Sequence, residues 1–334
     1  MNFLFCSAAR EFGGGERFLS LLVPELRRLG HSAALRLQSN APSALIALQE
    51  PQDSGSAPHV VVFNGIGALY RWGPVLGTRF QASIYVHHTS LHDDQGPRWK
   101  ARLRPLLLHV FSLNVGTIVR VCRASLADDF GGRRIVTVYN GVPVQAQHSP
   151  VRGADEPFVL AMIGSVNANK NQAAALQLLA MLPPAFHLKL IGGGPKFEEL
   201  KISAQTLGVS ERVQWTGFTK VPLDHLGACH CLLVLSKNEA FPFSALEALS
   251  VGVPVVSYDV GGLPELLGDG VGGVLVAAGQ LASVRLAVLR LFEDEASRFA
   301  MATAGREKIA REFSLNTMAT GFLQAAAATI SRQS

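Results

Sequence analysis

The stretch Lys237–Gly252, KNEAFPFSALEALSVG, places two carboxylates, Glu239 and Glu247, eight residues apart around a Phe-Pro-Phe. Core packing requires neither, and Glu247 falls among Leu246, Ala248 and Leu249 in an apolar helical pattern. Pro242 suits a first helical turn, where the amides of Phe243, Ser244 and Ala245 lack intrahelical acceptors. Such amides attract an anion. A carboxylate accepts paired hydrogen bonds, which matches vicinal hydroxyls of a sugar or ribose. A plainer reading of Glu247 is a charge on a helix surface.

Four glycine-bearing segments offer related chemistry. Gly13-Gly14-Gly15 follows a first apolar run and opens a helical pattern, where backbone amides can approach an anion; a tight turn explains it equally. In MIGSVNANKNQ, Gly164 ends a run and Lys170 stands at a helix start. A lysine there adds charge to what the helix end attracts, or is a solvated capping residue. IGGGP (Gly193 at its centre) and GFT (Gly217, Phe218, Thr219) follow later runs. None is a dinucleotide fingerprint or a Walker loop.

These segments need strand ends to hold them. Apolar strand patterns occur at Asn2–Ser7, His59–Asn64, Ala82–His87, Thr117–Cys122 and Ile135–Tyr139. They resume at Phe158–Ile163, His187–Ile191, Val213–Thr216, Cys231–Ser236, Val255–Tyr258 and Gly273–Val276. Helical patterns separate many of them, notably Glu16–Leu29, Asn171–Met181, Lys196–Leu207 and Phe243–Ser250, and Leu281–Ile330 reads as helical. The alternation predicts two doubly wound parallel sheets. The expected domains are 1–145, a linker at 146–157 with mixed charge and proline, 158–310, and a C-terminal helix at 311–334 that packs back on the first domain. Paired sheets of this class predict a ligand site in a cleft between the domains.

The bulk numbers agree. The 334 residues suit two domains, and 48% hydrophobic against 16% charged excludes a disordered chain. MNFLF reads as a first strand rather than a leader. The best candidate span, Leu106–Val121, is broken by His109, Asn114 and Arg120. Cys6, Cys122, Cys229 and Cys231 have no framework spacing, which predicts a cytoplasmic location. Cys229-His230-Cys231 reads as part of a buried strand rather than a zinc site. Charge is uneven: residues 1–150 carry 15 Lys and Arg against 9 Asp and Glu, and residues 151–334 carry 15 against 16.

EAFPFSALEA resembles the Glu-x7-Glu motif of retaining glycosyltransferases of the GT-B fold, specifically glycosyltransferase family four. GGGERFL, YNGVP, GSVNANKNQ, IGGGP, GFT and DVGGLPEL resemble that family's landmarks in its order. The resemblance implies that Glu247 binds the ribose of a nucleotide-sugar and Glu239 the transferred sugar. It also implies a diphosphate held by Lys170, the amides of Phe243 and Ser244, and Gly14-Gly15. Gly164, Ser165, Gly193 and Phe241 join the donor set, with Gly217–Thr219 near the base. Of the pair His87 and His88, the strand-ending His87 is expected near the anomeric carbon. The family's usual arginine after the strand-end glycine is Ser165 here, so Arg10 or Arg17 must substitute, or phosphate binding is weaker, or activity is lost.

No Asp-x-Asp stands in a suitable place, and Asp93-Asp94 and Asp128-Asp129 read as surface charges; transfer without a metal or other cofactor is expected. Arg98, Lys100, Arg102 and Arg104 interleave with Trp99, Leu103 and Leu106-Leu107-Leu108. That is the profile of a segment lying on an anionic membrane, or of a solvated basic helix. The expected partners are a nucleotide-sugar, a saccharide or lipid-linked acceptor and an anionic membrane surface, without nucleic acid. The rivals are a non-catalytic nucleotide-sugar-binding subunit, suggested by Ser165, and a nucleotide-sugar epimerase.

Overall fold

The computed structural model describes residues 1–49, 58–76, 79–89, 98–145, 153, 156–219 and 221–333, with side chains at all of these except 98–102, 104, 131 and 333. Two compact units are present, Met1–Gly141 with Ser314–Ser334, and Val142–Phe313. Of the expected linker 146–157, residues 146–152, 154 and 155 lie outside the described residues.

The first unit runs β1 (Asn2–Ser7), α1 (Gly14–Arg28), β2 (Ser32–Leu37), α2 (Ser43–Ile46), β3 (Val60–Asn64), α3 (Ile66–Leu76), β4 (Ala82–His87), α4 (Arg98–Phe111), β5 (Thr117–Arg120) and β6 (Ile135–Thr137). Its strands form one parallel sheet in the order β2-β1-β3-β4-β5-β6. Strand β1 shows how the sequence builds it. Leu4 and Cys6 join Ala68, Leu69 and Leu108 from α3 and α4 in one core, while Phe3 and Phe5 turn to the other face, as strand alternation requires. Strands β3 and β4 are buried throughout, as continuous apolar runs must be in a sheet covered on both sides. Strand β2, SAALRL, was not foreseen. Its alanines carry little strand preference, and in-register pairing with β1 makes it a strand.

The second unit runs β7 (Phe158–Ile163), α5 (Gln172–Met181), β8 (Phe186–Ile191), α6 (Phe197–Thr206), β9 (Val213–Gly217), β10 (Cys231–Val234), α7 (Phe243–Ser250), β11 (Val255–Tyr258), α8 (Leu263–Leu267), β12 (Gly273–Val276), α9 (Leu281–Glu293) and α10 (Glu295–Glu312). The sheet order is β12-β11-β10-β7-β8-β9, again parallel.

The last helix, α11 (Leu315–Gln333), belongs to the first unit. Its Phe322 ring lies 5.9, 5.8 and 6.3 Å from those of Phe3, Phe5 and Phe18. Thr329 bonds Thr117 of β5 at 2.7 Å. In each unit the chain reverses its direction of strand addition once, between β1 and β3 and between β7 and β10. Ligands of open α/β sheets bind at the carboxyl ends of the strands at such points.

Candidate active site

In the second unit, Gly164 ends β7 with φ 137°, and the Lys170 side chain crosses over it, its Cε 3.2 Å from where a Cβ would stand. The turn between them is built by asparagines. Asn167 Oδ1 accepts from the amides of Asn169 and Lys170 at 3.0 and 2.9 Å. Asn169 joins this turn to the loop after β10: Nδ2 donates to the Asn238 carbonyl at 3.0 Å, and Oδ1 accepts from the Asn238 amide at 3.1 Å. Asn171, in the left-handed region, is the N-cap of α5, and its Nδ2 reaches the Leu235 carbonyl at 3.2 Å. The result is an ion pair across the switch point, Lys170 Nζ to Glu239 Oε1 at 2.6 Å, with the side chains 25% and 11% exposed. Lys170 is therefore not a solvated capping residue. Sequence reasoning missed all three asparagines: Asn167 bonds its own turn, as asparagine commonly does, whereas Asn169 and Asn171 reach the segment 235–238, a contact that only the fold creates.

The IGGGP segment packs on the start of the turn after β7. Gly193 O accepts from the Val166 amide at 2.9 Å. A side chain at Gly192 (φ 141°) would overlap the Gly164 carbonyl, and one at Gly194 would overlap Val166. Ser165 is part of this close packing: its carbonyl accepts from Gln172 Nε2 at 3.1 Å, and its Oγ lies 2.9 Å from a Cβ position on Gly194. Gly217 ends β9 with φ 70°, and Phe218 presents an apolar ring that is 74% exposed. Thr219 Oγ1 accepts from the Val221 amide at 3.1 Å.

Pro242 is the extended N-cap of α7 rather than part of its first turn, and Phe243, Ser244 and Ala245 open the helix. Glu247 is 4% exposed, so it is no surface charge. Burying a carboxylate is costly unless it is bonded, which marks the position as functional or specifically paired. Phe241 requires a correction: its ring is buried, 5.4 Å from Phe313, so it is a core residue and only its backbone borders the Glu239 loop. That loop is held by Gly262, whose amide donates to the Ala240 carbonyl at 2.7 Å.

In the first unit, Gly13 is the N-cap of α1, and its amide donates to Glu16 Oε2 at 3.1 Å. Gly15 packs on the His88 ring, 3.4 Å from a Cβ position, and Phe18 meets that ring edge-on at 5.0 Å. His88, not His87, is thus the histidine beside the glycine loop. Strand alternation explains the correction. His87 ends β4 pointing into the core, fully buried, with Nδ1 2.8 Å from the Tyr85 hydroxyl and Nε2 without a partner among the described residues. Burial lowers His87 to about 4 and His88 to about 3. The unfolded chain, titrating near 6.5, therefore takes up protons that the folded one refuses. The fold keeps full stability above that pH and loses it as the pH falls from about 6.5 towards 4. His87→Asn is expected to flatten this loss, as thermal melts against pH would show.

Arg10 is exposed and Arg17 half-buried. The side chains of Arg98, Trp99, Lys100, Arg102 and Arg104, and residues Asp93 and Asp94, lie outside the described residues. Asp128 pairs with the buried Arg120. Cys229, His230 and Cys231 are buried, and burial raises the two thiols to about 11 and 12. Among the described residues no three His, Cys, Asp or Glu side chains gather to hold a metal ion, and no helix is long and apolar enough to cross a membrane.

Solved structures define the class. The chain matches Anabaena HepE in complex with UDP and glucose with TM-score 0.83 at 21% identity, covering 98% of this chain and 100% of that one. It matches sucrose-phosphate synthase from Thermosynechococcus elongatus with TM-score 0.83 at 16% identity, covering 99% of each. The fold is GT-B, two Rossmann-like α/β domains. Residues 144–308, just under half of the chain, match the family model for glycosyl transferases group 1. The chain is similar to 2-deoxystreptamine glucosyltransferase of Streptomyces kanamyceticus, 33% identical over 165 residues, 47% of this chain and 42% of that protein. It is also similar to lipopolysaccharide 1,6-galactosyltransferase of Salmonella typhimurium, 28% identical over 163 residues, 47% and 45% of the two chains. The matched region spans less than half the length of these relatives.

Proposed function

We propose that the protein is a glycosyltransferase that moves a sugar from a nucleotide-diphospho-sugar to a saccharide or lipid-linked saccharide, with retention, in cell-surface polysaccharide or lipopolysaccharide synthesis. The observation that carries this reading is the Lys170–Glu239 pair at the carboxyl ends of β7 and β10. One sugar carbon exchanges its bond to the diphosphate oxygen for a bond to an acceptor hydroxyl, whose proton passes to the released diphosphate. Lys170 and the amides of Phe243 and Ser244 stabilise the charge left on the diphosphate, acting before any reorganisation is needed. Glu239 receives hydroxyls of the transferred sugar, Glu247 those of the ribose, Phe218 and its neighbours Gly217 and Thr219 the base. Gly14 and Gly15 border the phosphates, and His88 takes the place near the sugar first assigned to His87.

With fixed cations and amides supplying the positive potential, no metal is required. Donor turnover across a nucleotide-sugar panel tests the reading. UDP-sugars head it, because HepE was solved with UDP and glucose. Turnover is expected with one of them, unchanged within about twofold by EDTA. Binding without turnover, even with membrane extract as acceptor, would leave only a sugar-nucleotide-binding subunit.

The acceptor side carries an apolar surface. Leu103, Leu106, Leu107 and Val110 of α4, and Leu113 just after it, are 39–57% exposed. Their spacing sets them along one helical face. Arg98, Lys100, Arg102 and Arg104 share that segment, and no acidic residue occurs from 95 to 127. Basic residues beside an exposed apolar stripe fit an anionic bilayer. Vesicles rich in phosphatidylglycerol are expected to sediment the protein at low salt, and Leu106→Asp with Val110→Asp to release it. Equal recovery with neutral vesicles would defeat the membrane reading.

A further inference from the structure

We infer that Asn64 is a positioning residue that fixes both the glycine loop and the tautomer of His88, so that His88 Nδ1 receives a saccharide hydroxyl; this rests on the proposed role of His88. Asn64 is the last residue of β3, and β3 lies between β1, which leads to the glycine loop, and β4, which leads to His88. The residue is 5% exposed and its side chain bonds on both sides: Nδ2 donates to the Gly15 carbonyl at 3.1 Å, and Oδ1 lies 2.7 Å from His88 Nε2.

The chemistry of these partners leaves one arrangement. The Gly15 carbonyl only accepts, so the amide nitrogen of Asn64 must face it. The amide oxygen then faces His88 and also only accepts, so Nε2 must carry the ring proton. A neutral imidazole protonated at Nε2 has its lone pair on Nδ1. Burial keeps the ring neutral near physiological pH. His88 is thereby an acceptor for a hydroxyl and not a donor to it. Its ring is also clamped between Phe18 and the Gly15 backbone, so its orientation and that of the loop are set together. Nothing in the run HVVVFN distinguishes Asn64 from an ordinary strand end; only the meeting of three strand ends does.

Asn64→Ala and Asn64→Asp separate the two bonds. Aspartate keeps an acceptor for Nε2–H but cannot donate to the Gly15 carbonyl while ionised. In the intact protein, ¹⁵N shifts of the His88 ring report its tautomer without reference to activity. Asn64→Ala is expected to mix the tautomers and lower kcat by about 10- to 100-fold with KM changed less than threefold, the pattern of lost orientation. Asn64→Asp is expected to keep the Nε2–H form and recover part of kcat, while KM for the donor rises as the loop loosens. If the hydroxyl belongs to the transferred sugar, donor hydrolysis and transfer fall together in Asn64→Ala; if it belongs to the acceptor, transfer alone falls. A wild-type tautomer with kcat within twofold in a folded Asn64→Ala protein overturns the inference. Should Asn64→Ala fail to fold, an Nδ1–H ring in the wild type or in Asn64→Asp overturns it. Full activity in His88→Ala with the Nε2–H tautomer intact in wild type would instead remove the catalytic role of His88 and leave the positioning of its ring standing.

Discussion

Lys170→Ala is expected to lower donor turnover by about 10²- to 10³-fold, the usual loss when one preorganised stabiliser of developing negative charge is removed. The same substitution leaves Glu239 largely buried without its 2.6 Å partner. Stranding a charge in that way costs about 1–3 kcal/mol of stability, and a fall in activity could be mistaken for a fall in folded fraction. The double variant Lys170→Ala with Glu239→Gln separates the two. Neutralising the stranded carboxylate should return the thermal midpoint towards wild type and leave turnover as low as in the single variant. A double-mutant cycle on stability then measures the coupling of the pair, and a parallel cycle on turnover measures its catalytic value. Lys170→Arg is not a mild control, because a planar fork does not replace a compact ammonium above a glycine. Turnover within threefold of wild type in folded Lys170→Ala would remove the electrostatic account.

Gly261→Ala is the second large effect. Gly261 sits at φ 56°, and a methyl group there would overlap the Glu239 carbonyl. The left-handed backbone alone costs an alanine about 1–2 kcal/mol; the overlap adds a displacement of the Glu239 main chain, in a loop that the Gly262 amide ties to the Ala240 carbonyl. Misplacing a substrate-contacting group by about 1 Å costs on the order of 100-fold, so turnover should fall by at least that factor. Gly279→Ala is the matched control: its φ is 81°, and no atom lies within 4 Å of the added carbon. It should cost a similar backbone strain, visible as a drop of about 2–8 °C in the melt, with turnover unchanged. Equal turnover in the two variants would mean that the position of Glu239 does not matter to the reaction.

Much of the second unit is legible in the sequence. Strands β7, β11 and β12 and helix α7 run between the residues expected, because each is an apolar run bounded by glycine or proline punctuation. The first unit was less legible. Strand β2 contains too little apolar volume to announce itself, and β5 and β6 end before the apolar runs do, since Cys122 turns into a short 3₁₀ segment at Arg123–Ser125. Among candidate site residues, Glu239, Glu247 and Lys170 were marked by their charge in apolar or glycine-rich surroundings. Asn64, Asn167 and Asn169 escaped because a neutral amide in a turn or at a strand end looks the same whether it bonds water or positions a functional group.

The sequence by itself determined two doubly wound α/β units and the segments that carry candidate chemistry, because hydrophobic period, glycine turns and charge in apolar places are local properties of the chain. Tertiary structure decided which side chains meet. Lys170 and Glu239 are 69 positions apart and share a hydrogen bond because β7 and β10 are neighbours in the sheet. His88 rather than His87 faces the glycine loop because consecutive residues at a strand end point to opposite sides. Phe241 is a core ring and Glu247 a buried carboxylate, although they lie in one short stretch, because burial depends on what packs from elsewhere in the fold.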